Sequence, residues 1–159
     1  MRAELARSEW TRVRALSGEV IELERGIQAL VRASGSSRPA ITGVAAITAA
    51  KLLGETGDPK RLRSSPAFAA LSGTSPIPAS SGKTSRHRLN RGGNRQLNRA
   101  LHTIAVVQAR TDPRAQAYVA RRMADGKSRL EALRCLKRHL ADVVFRTMVA
   151  DAASVRPFR

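Results

Sequence analysis

Acidic residues are scarce in this chain. Its 159 residues include 12 aspartates and glutamates against 29 lysines and arginines, a formal net charge of +17. From Pro59 to Thr111 there is no acidic residue at all. Cysteine is nearly absent. Cys135 stands alone, which leaves no disulfide framework and no zinc site, and its setting in LEALRCLKRHL reads as a core position. No apolar run reaches the roughly 18 residues of a membrane-spanning helix, so no membrane partner is expected. The N-terminal stretch MRAELARSEW lacks the apolar segment of a secretory signal, and the cytoplasm is the expected compartment.

What is present suits one domain, or one domain with an extension. Hydrophobic residues make up 42%, enough for a packed core and too many for wholesale disorder. The positive charge exceeds what solubility needs and implies a polyanionic partner, nucleic acid before an anionic membrane. Val13, Leu16, Val20, Leu23, Ile27 and Leu30 repeat at alternating three- and four-residue spacing, an a/d heptad seam. It fits either a helix packed on its own domain or half of a coiled coil, and no comparable seam follows downstream to partner it. The serine-, glycine- and proline-rich residues 33–39 read as a linker.

A mainly α fold is expected after that linker. ITGVAAITAAKLL resembles the second half of a helix-hairpin-helix, whose tight glycine turn admits a phosphate. A buried helical hairpin without a ligand is the alternative. Gly57 and Asp58-Pro59 end that helix. Ser65 is the expected cap of the next, with Pro66 at its first helical position. Ser75-Pro76-Ile77-Pro78 favours extended chain leading to Ser80-Ser81-Gly82. Asn94 should cap a helix that turns Leu97, Leu101, Ile104 and Val107 inward. Residues from Pro113 to Ala124 form a further helix. Ser128 and Glu131 form a capping box for the last one, whose apolar face holds Leu130, Leu133, Leu136, Leu140, Val143, Val144 and Met148. Residues 153–159 should fray.

The acid-free segment carries Lys83, Arg86, Arg88, Arg91, Arg95 and Arg99. A one-sign field across folded chain suggests phosphate contacts, and Arg91, Arg95 and Arg99 fall on one helix face and its leading turn. A serine hydroxyl beside guanidiniums fits a nucleophile with its transition-state clamp. A loop of small polar residues fits the same spacing. His87 could move a proton, contact phosphate or face solvent. The pairs Arg121-Arg122 and Lys137-Arg138 read as solvated helix faces that could extend the basic surface.

The string SGTSPIPASSGKTSRHRLNRGGNRQLNRAL, within a region from about Ile41 to Leu140, resembles the C-terminal transposase domain of the IS110/IS1111 (IS116/IS110/IS902) insertion-sequence recombinases. The resemblance implies DNA recombination by a serine nucleophile that bonds covalently to DNA. By motif that serine is Ser81, with Ser80 the alternative because the serine is doubled. Arg86, Arg88, Arg91, Arg95 and Arg99 match the family's basic stretch, and with Lys83 they are the expected nucleic-acid-binding residues. The resemblance also implies a structured bridge RNA, an oligomer joined through the N-terminal helix, and a RuvC-like domain with acidic ligands for Mg2+. This chain is expected to begin inside the coiled coil that follows that domain, to bind no cofactor itself and to be inactive alone.

The expected layout is therefore a coiled-coil-type helix over residues 1–32, a linker at 33–39, and a compact helical transposase domain at 40–152. That domain has a helix-hairpin-helix-like turn and an extended serine-glycine loop. Residues 153–159 form the tail. Gly43-Val44-Ala45 departs from the tighter glycine turn usual in the family. A non-catalytic nucleic-acid-binding remnant or regulator is the rival reading, and a basic ribosome-associated protein a weaker one.

Overall fold

The computed structural model describes residues 1–79, 87–88 and 90–154. These form helices α1 (Arg2–Ala33), α2 (Ala46–Thr56), α3 (Ser65–Leu71), α4 (Arg95–Thr111), α5 (Pro113–Ala124) and α6 (Arg129–Ser154). Two-residue strands β1 (Ile77–Pro78) and β2 (His87–Arg88) lie between α3 and α4, and short 3-10 turns fall at 38–40 and 59–61. The mainly helical class expected from the sequence is the one observed.

α4 is the centre. It packs on α2, α5 and α6, while α3 lies on α6. Asn94 caps it as expected, its Oδ1 accepting the backbone N–H groups of Gln96 at 2.8 Å and Leu97 at 3.0 Å. Leu97, Leu101 and Ile104 recur on one face and are completely buried. They meet Ala49 and Leu52 of α2, Phe68 of α3, Val119 of α5, and Leu136, Leu140, Val144 and Met148 of α6 in one hydrophobic core. Phe68 stacks on Phe145 with ring centroids 6.1 Å apart. Each fully buried side chain of this kind contributes about 1.5–3 kcal/mol.

The capping box forms: Ser128 N–H and Oγ donate to Glu131 Oε2 at 2.9 and 2.8 Å. Three details differ from expectation. Ser64, not Ser65, caps α3, accepting from Ala67 N–H, so Pro66 is the second helical residue and not the first. The Ser65 hydroxyl is instead drawn across to Asp142 of α6. Leu130 is 65% exposed, because it lies in the first turn of α6 where nothing covers it. Cys135 is only half-buried and edges a cleft rather than the core.

α1 behaves as two pieces. Every residue through Gly26 is exposed, whereas Ile27 and Val31 join the core. The segment that follows is tied to the end of α6. Ser37 N–H and Oγ donate to the Asp151 carboxylate at 3.1 and 2.5 Å, and Ser36 Oγ adds a third bond at 3.3 Å. The neighbouring Arg38 is buried.

The turn before α2 docks on α4. Gln108 Nε2 donates to the Thr42 carbonyl at 2.7 Å. Gly43 has a φ of 83°, and a Cβ there would meet the Ile104 carbonyl oxygen and the Val107 side chain at 3.2 Å. Glycine is needed at this point for helix contact, because its open side faces α4.

Candidate nucleic-acid interface

The segment carrying the candidate serines leaves and returns through a tight neck. At the end of α3, the backbone N–H groups of Thr74 and Ser75 both donate to the Ala69 carbonyl, at 2.8 and 3.0 Å. The returning chain crosses directly over Gly73. A Cβ on Gly93 would lie 2.2 Å from Gly73 N and 2.4 Å from its Cα, so only two glycines allow the crossing. Asn94 N–H donates to the Leu71 carbonyl at 2.6 Å. Asn98 Nδ2 clasps the same turn from α4, donating to the carbonyls of Ser72 at 2.9 Å and Gly73 at 3.0 Å. Beyond the crossing, β1 and β2 pair antiparallel, with Ile77 opposite Arg88 and Pro78 opposite His87. Ser80, Ser81, Lys83 and Arg86 lie outside the described residues. The described chain delivers and receives them at adjacent points.

One side of the neck borders a cleft of about 410 Å³ between Gly73–Pro76, β2, α5 and α6. Arg88, Arg122, Lys127, Arg134, Lys137 and Arg138 line it, against the single carboxylate of Glu131. Glu131 is occupied by its own capping box, whose bonds from Ser128 hold its carboxyl below the usual range. Arg138 is paired with Asp142. Arg122 is set by Tyr118: its Nε donates to the phenol oxygen at 3.3 Å, and its guanidinium lies 5.2 Å from the ring centre. That bond pushes the Arg122 pKa up. Lys137 is only 6% exposed. Its ammonium donates to Asn98 Oδ1 at 2.9 Å, and burial, with Arg134 adding to it, pulls its pKa down.

A second groove, of about 640 Å³, lies where α1, the start of α2 and α4 meet. Arg25, Lys51 and Arg99 line it around the first turn of α2. The expected basic residues therefore divide. Arg88 faces the first cleft and Arg99 the second. Arg91 and Arg95 are exposed and line neither. His87 is exposed at the rim of the first cleft.

Arg122, Lys137 and Arg138, expected as solvated helix faces that could extend the basic surface, line the cleft, and Lys137 is buried rather than solvated; sequence reasoning missed Lys127 and Arg134 beside them, and the clasp by Asn98. Two signals mark the buried lysine and the clasp. Lys137 stands in the inward i±4 row with Leu133 and Ala141, where a charge is out of place. Asn98 sits in a helix interior, a poor site for asparagine unless its side chain is engaged elsewhere.

The described residues do not fit a metal ion. No group of three or more His, Cys, Asp or Glu comes together among them. Their carboxylates cap or tie helices instead: Asp58 and Asp112 are N-caps, Glu55 accepts from Asn94, and Asp142 and Asp151 bind serines. No helix among the described residues is long and apolar enough to cross a membrane.

Residues 39–120 match the family model described as Transposase IS116/IS110/IS902 family. The chain is 39% identical over 128 residues to the insertion element IS110 uncharacterized 43.6 kDa protein of Streptomyces coelicolor, covering 77% of this chain and 31% of that protein. It is 32% identical over 117 residues to the insertion element IS900 uncharacterized 42 kDa protein of Mycobacterium paratuberculosis, covering 72% of this chain and 29% of that protein. The chain thus spans about a third of the length of the curated relatives it matches.

Proposed function

Starting from the fact that the chain belongs to the IS116/IS110/IS902 transposase family, we propose that it is the DNA-binding, serine-bearing part of an IS110-like recombinase. In this reading the Ser81 Oγ, or that of Ser80, attacks a DNA phosphodiester. An Oγ–P bond forms as a P–O bond to the strand breaks, and the departing oxygen takes up a proton. Metal and acid-base groups come from a RuvC-like domain outside this segment, and a structured RNA selects the DNA. The exposed seam of α1 pairs with another protomer.

The observation that carries the reading is the neck. A chain crossing that only glycines permit, clasped by Asn98, holds both ends of the serine segment beside a cleft with six cationic side chains. In this reading the neck serves to position the nucleophile, and positioning is a large part of catalysis. Neighbouring guanidiniums would stabilise the charge that develops on phosphorus.

The test is a complex reconstituted with the RuvC-like domain, guide RNA and end-labelled DNA, resolved under denaturing conditions. A labelled protein–DNA adduct is expected, and its loss in the double variant Ser80→Ala, Ser81→Ala. Persistence of the adduct in that variant removes the nucleophile from this segment.

A non-catalytic nucleic-acid-binding module is the second reading. It is favoured by the basic lining of the first cleft, which needs no serine to hold a polyanion. It expects salt-sensitive DNA binding that ignores both serines. With about six phosphates neutralised, log K falls against log salt with a slope of roughly −5. A flat dependence contradicts both readings.

A further inference from the structure

Lys137 poses a question that the fold does not answer. The residue is buried, yet the one bonding partner of its ammonium among the described residues is the neutral amide of Asn98. An ammonium has three donors. No described carboxylate lies within ion-pair distance of it. A buried cation is ordinarily paired, and this one lines an open cleft. Arg122 is held in place over Tyr118 at the same cleft. Arg134 is exposed there and pairs with no described carboxylate. The cleft is thus built for an anion.

Size narrows the occupant. About 410 Å³ lies within the roughly 300–1,000 Å³ of small-ligand sites. A duplex, whose major groove alone is about 12 Å wide, does not enter it. A single strand is narrower and presents its phosphates in a row. The cleft wall includes Gly73–Pro76, so a strand lying here runs against the chain that leads into the serine segment.

We propose that the cleft between the neck, α5 and α6 seats a single DNA strand, whose phosphodiesters are bound by Arg122, Arg134 and Lys137; this rests on the DNA-binding reading above. Phosphate supplies the acceptors that the Lys137 ammonium lacks and bridges it to the two guanidiniums. The depressed pKa of Lys137 accords with a cation waiting for its counter-charge.

The experiment is fluorescence anisotropy of the full chain with a labelled 12-nucleotide DNA strand over a range of salt. The variants are Arg122→Gln, Arg134→Gln and Lys137→Met, with Arg12→Gln on exposed α1 as the equal-charge comparison. Each cleft variant should weaken binding by on the order of tenfold, the worth of one charge-assisted hydrogen bond. Each should also flatten the salt slope by about 0.7, the share of one single-strand phosphate. Arg12→Gln should change affinity less than about twofold, as a distant screened charge does.

If the three cleft variants bind like Arg12→Gln while the unmodified chain binds DNA, the cleft is not the seat and the proposal falls alone. If the unmodified chain does not bind DNA, the reading beneath it falls as well. If the variants weaken binding of an RNA strand of the same sequence and leave DNA unchanged, the seat belongs to RNA and the proposal is overturned. Should Lys137→Met fail to fold, the two arginine variants decide the matter, since neither side chain is buried.

Discussion

α1 and α4 carry the same kind of apolar stripe and differ in what covers it. On α4, Leu97, Leu101 and Ile104 are 0% exposed. On α1, Val13 and Leu16 are 50% exposed and Leu23 is 67% exposed. Spacing sets which face of a helix is apolar. It does not say whether the covering surface lies in the same chain. α4 is enclosed by α2, α5 and α6. α1 gives only its last turns to the core, and a 32-residue helix is about 48 Å long at ~1.5 Å per residue.

The sharpest break of this comparison is a matched pair of truncations. Leu101→Ala removes a fully buried side chain at the centre of the core and should cost about 3–5 kcal/mol, including the cavity left behind. Leu23→Ala on α1 should change unfolding of dilute, dissociated protein by less than about 0.5 kcal/mol. Urea denaturation of both decides it. Equal costs would mean that the α1 seam is covered within the chain.

Glycines give a second matched pair, with opposite signs. At Gly93 an added Cβ would strike the backbone of Gly73. Gly93→Ala should therefore open the neck and cost about 1–3 kcal/mol or more. At Gly18 a Cβ would meet nothing within 4 Å, and alanine is the better helix former by about 0.5–1 kcal/mol. That gain belongs to the exposed part of α1. It should appear as slower hydrogen exchange there, with little movement of the global transition, because segments of low contact density open on their own. A rise in global stability equal to the local gain would show that α1 and the core unfold together.

The same contrast explains what could be read from the sequence. Caps and stripes are local, and they were legible. Asn94 caps α4, Ser128 and Glu131 form their box, and Leu97, Leu101 and Ile104 of the expected inward set on α4 are buried, with Val107 only half-buried beside the turn at Gly43. Family membership was legible in the string around the doubled serine. What escaped depends on residues far apart in the chain. Lys137 and Asn98 are 39 residues apart, and Ser65 reaches Asp142 over 77. The second of these engages Ser65, while Ser64 caps α3. The cleft itself has walls from the neck, α5 and α6, and no one segment predicts it.

The smallest expected effect concerns Asp142, which ties α3 to α6 and has no counterpart on the exposed part of α1. Burial alone would push its carboxyl up, but the bonds from Arg138 and Ser65 outweigh this and hold it below the usual aspartate range. A carboxyl that is more acidic folded than unfolded stabilises the fold above its unfolded pKa of about 3.9 and loses that contribution as pH falls through the lower folded value. Asp142→Asn should therefore lower thermal stability modestly at pH 7, and the two proteins should converge as pH drops below about 4. The group is partly solvated, so screening keeps the difference small. Thermal unfolding of both proteins from pH 7 down to pH 3 reads the difference. A gap that stays constant over that range would assign Asp142 a packing role, and the tie between α3 and α6 would then rest on Phe68 and Phe145 rather than on charge.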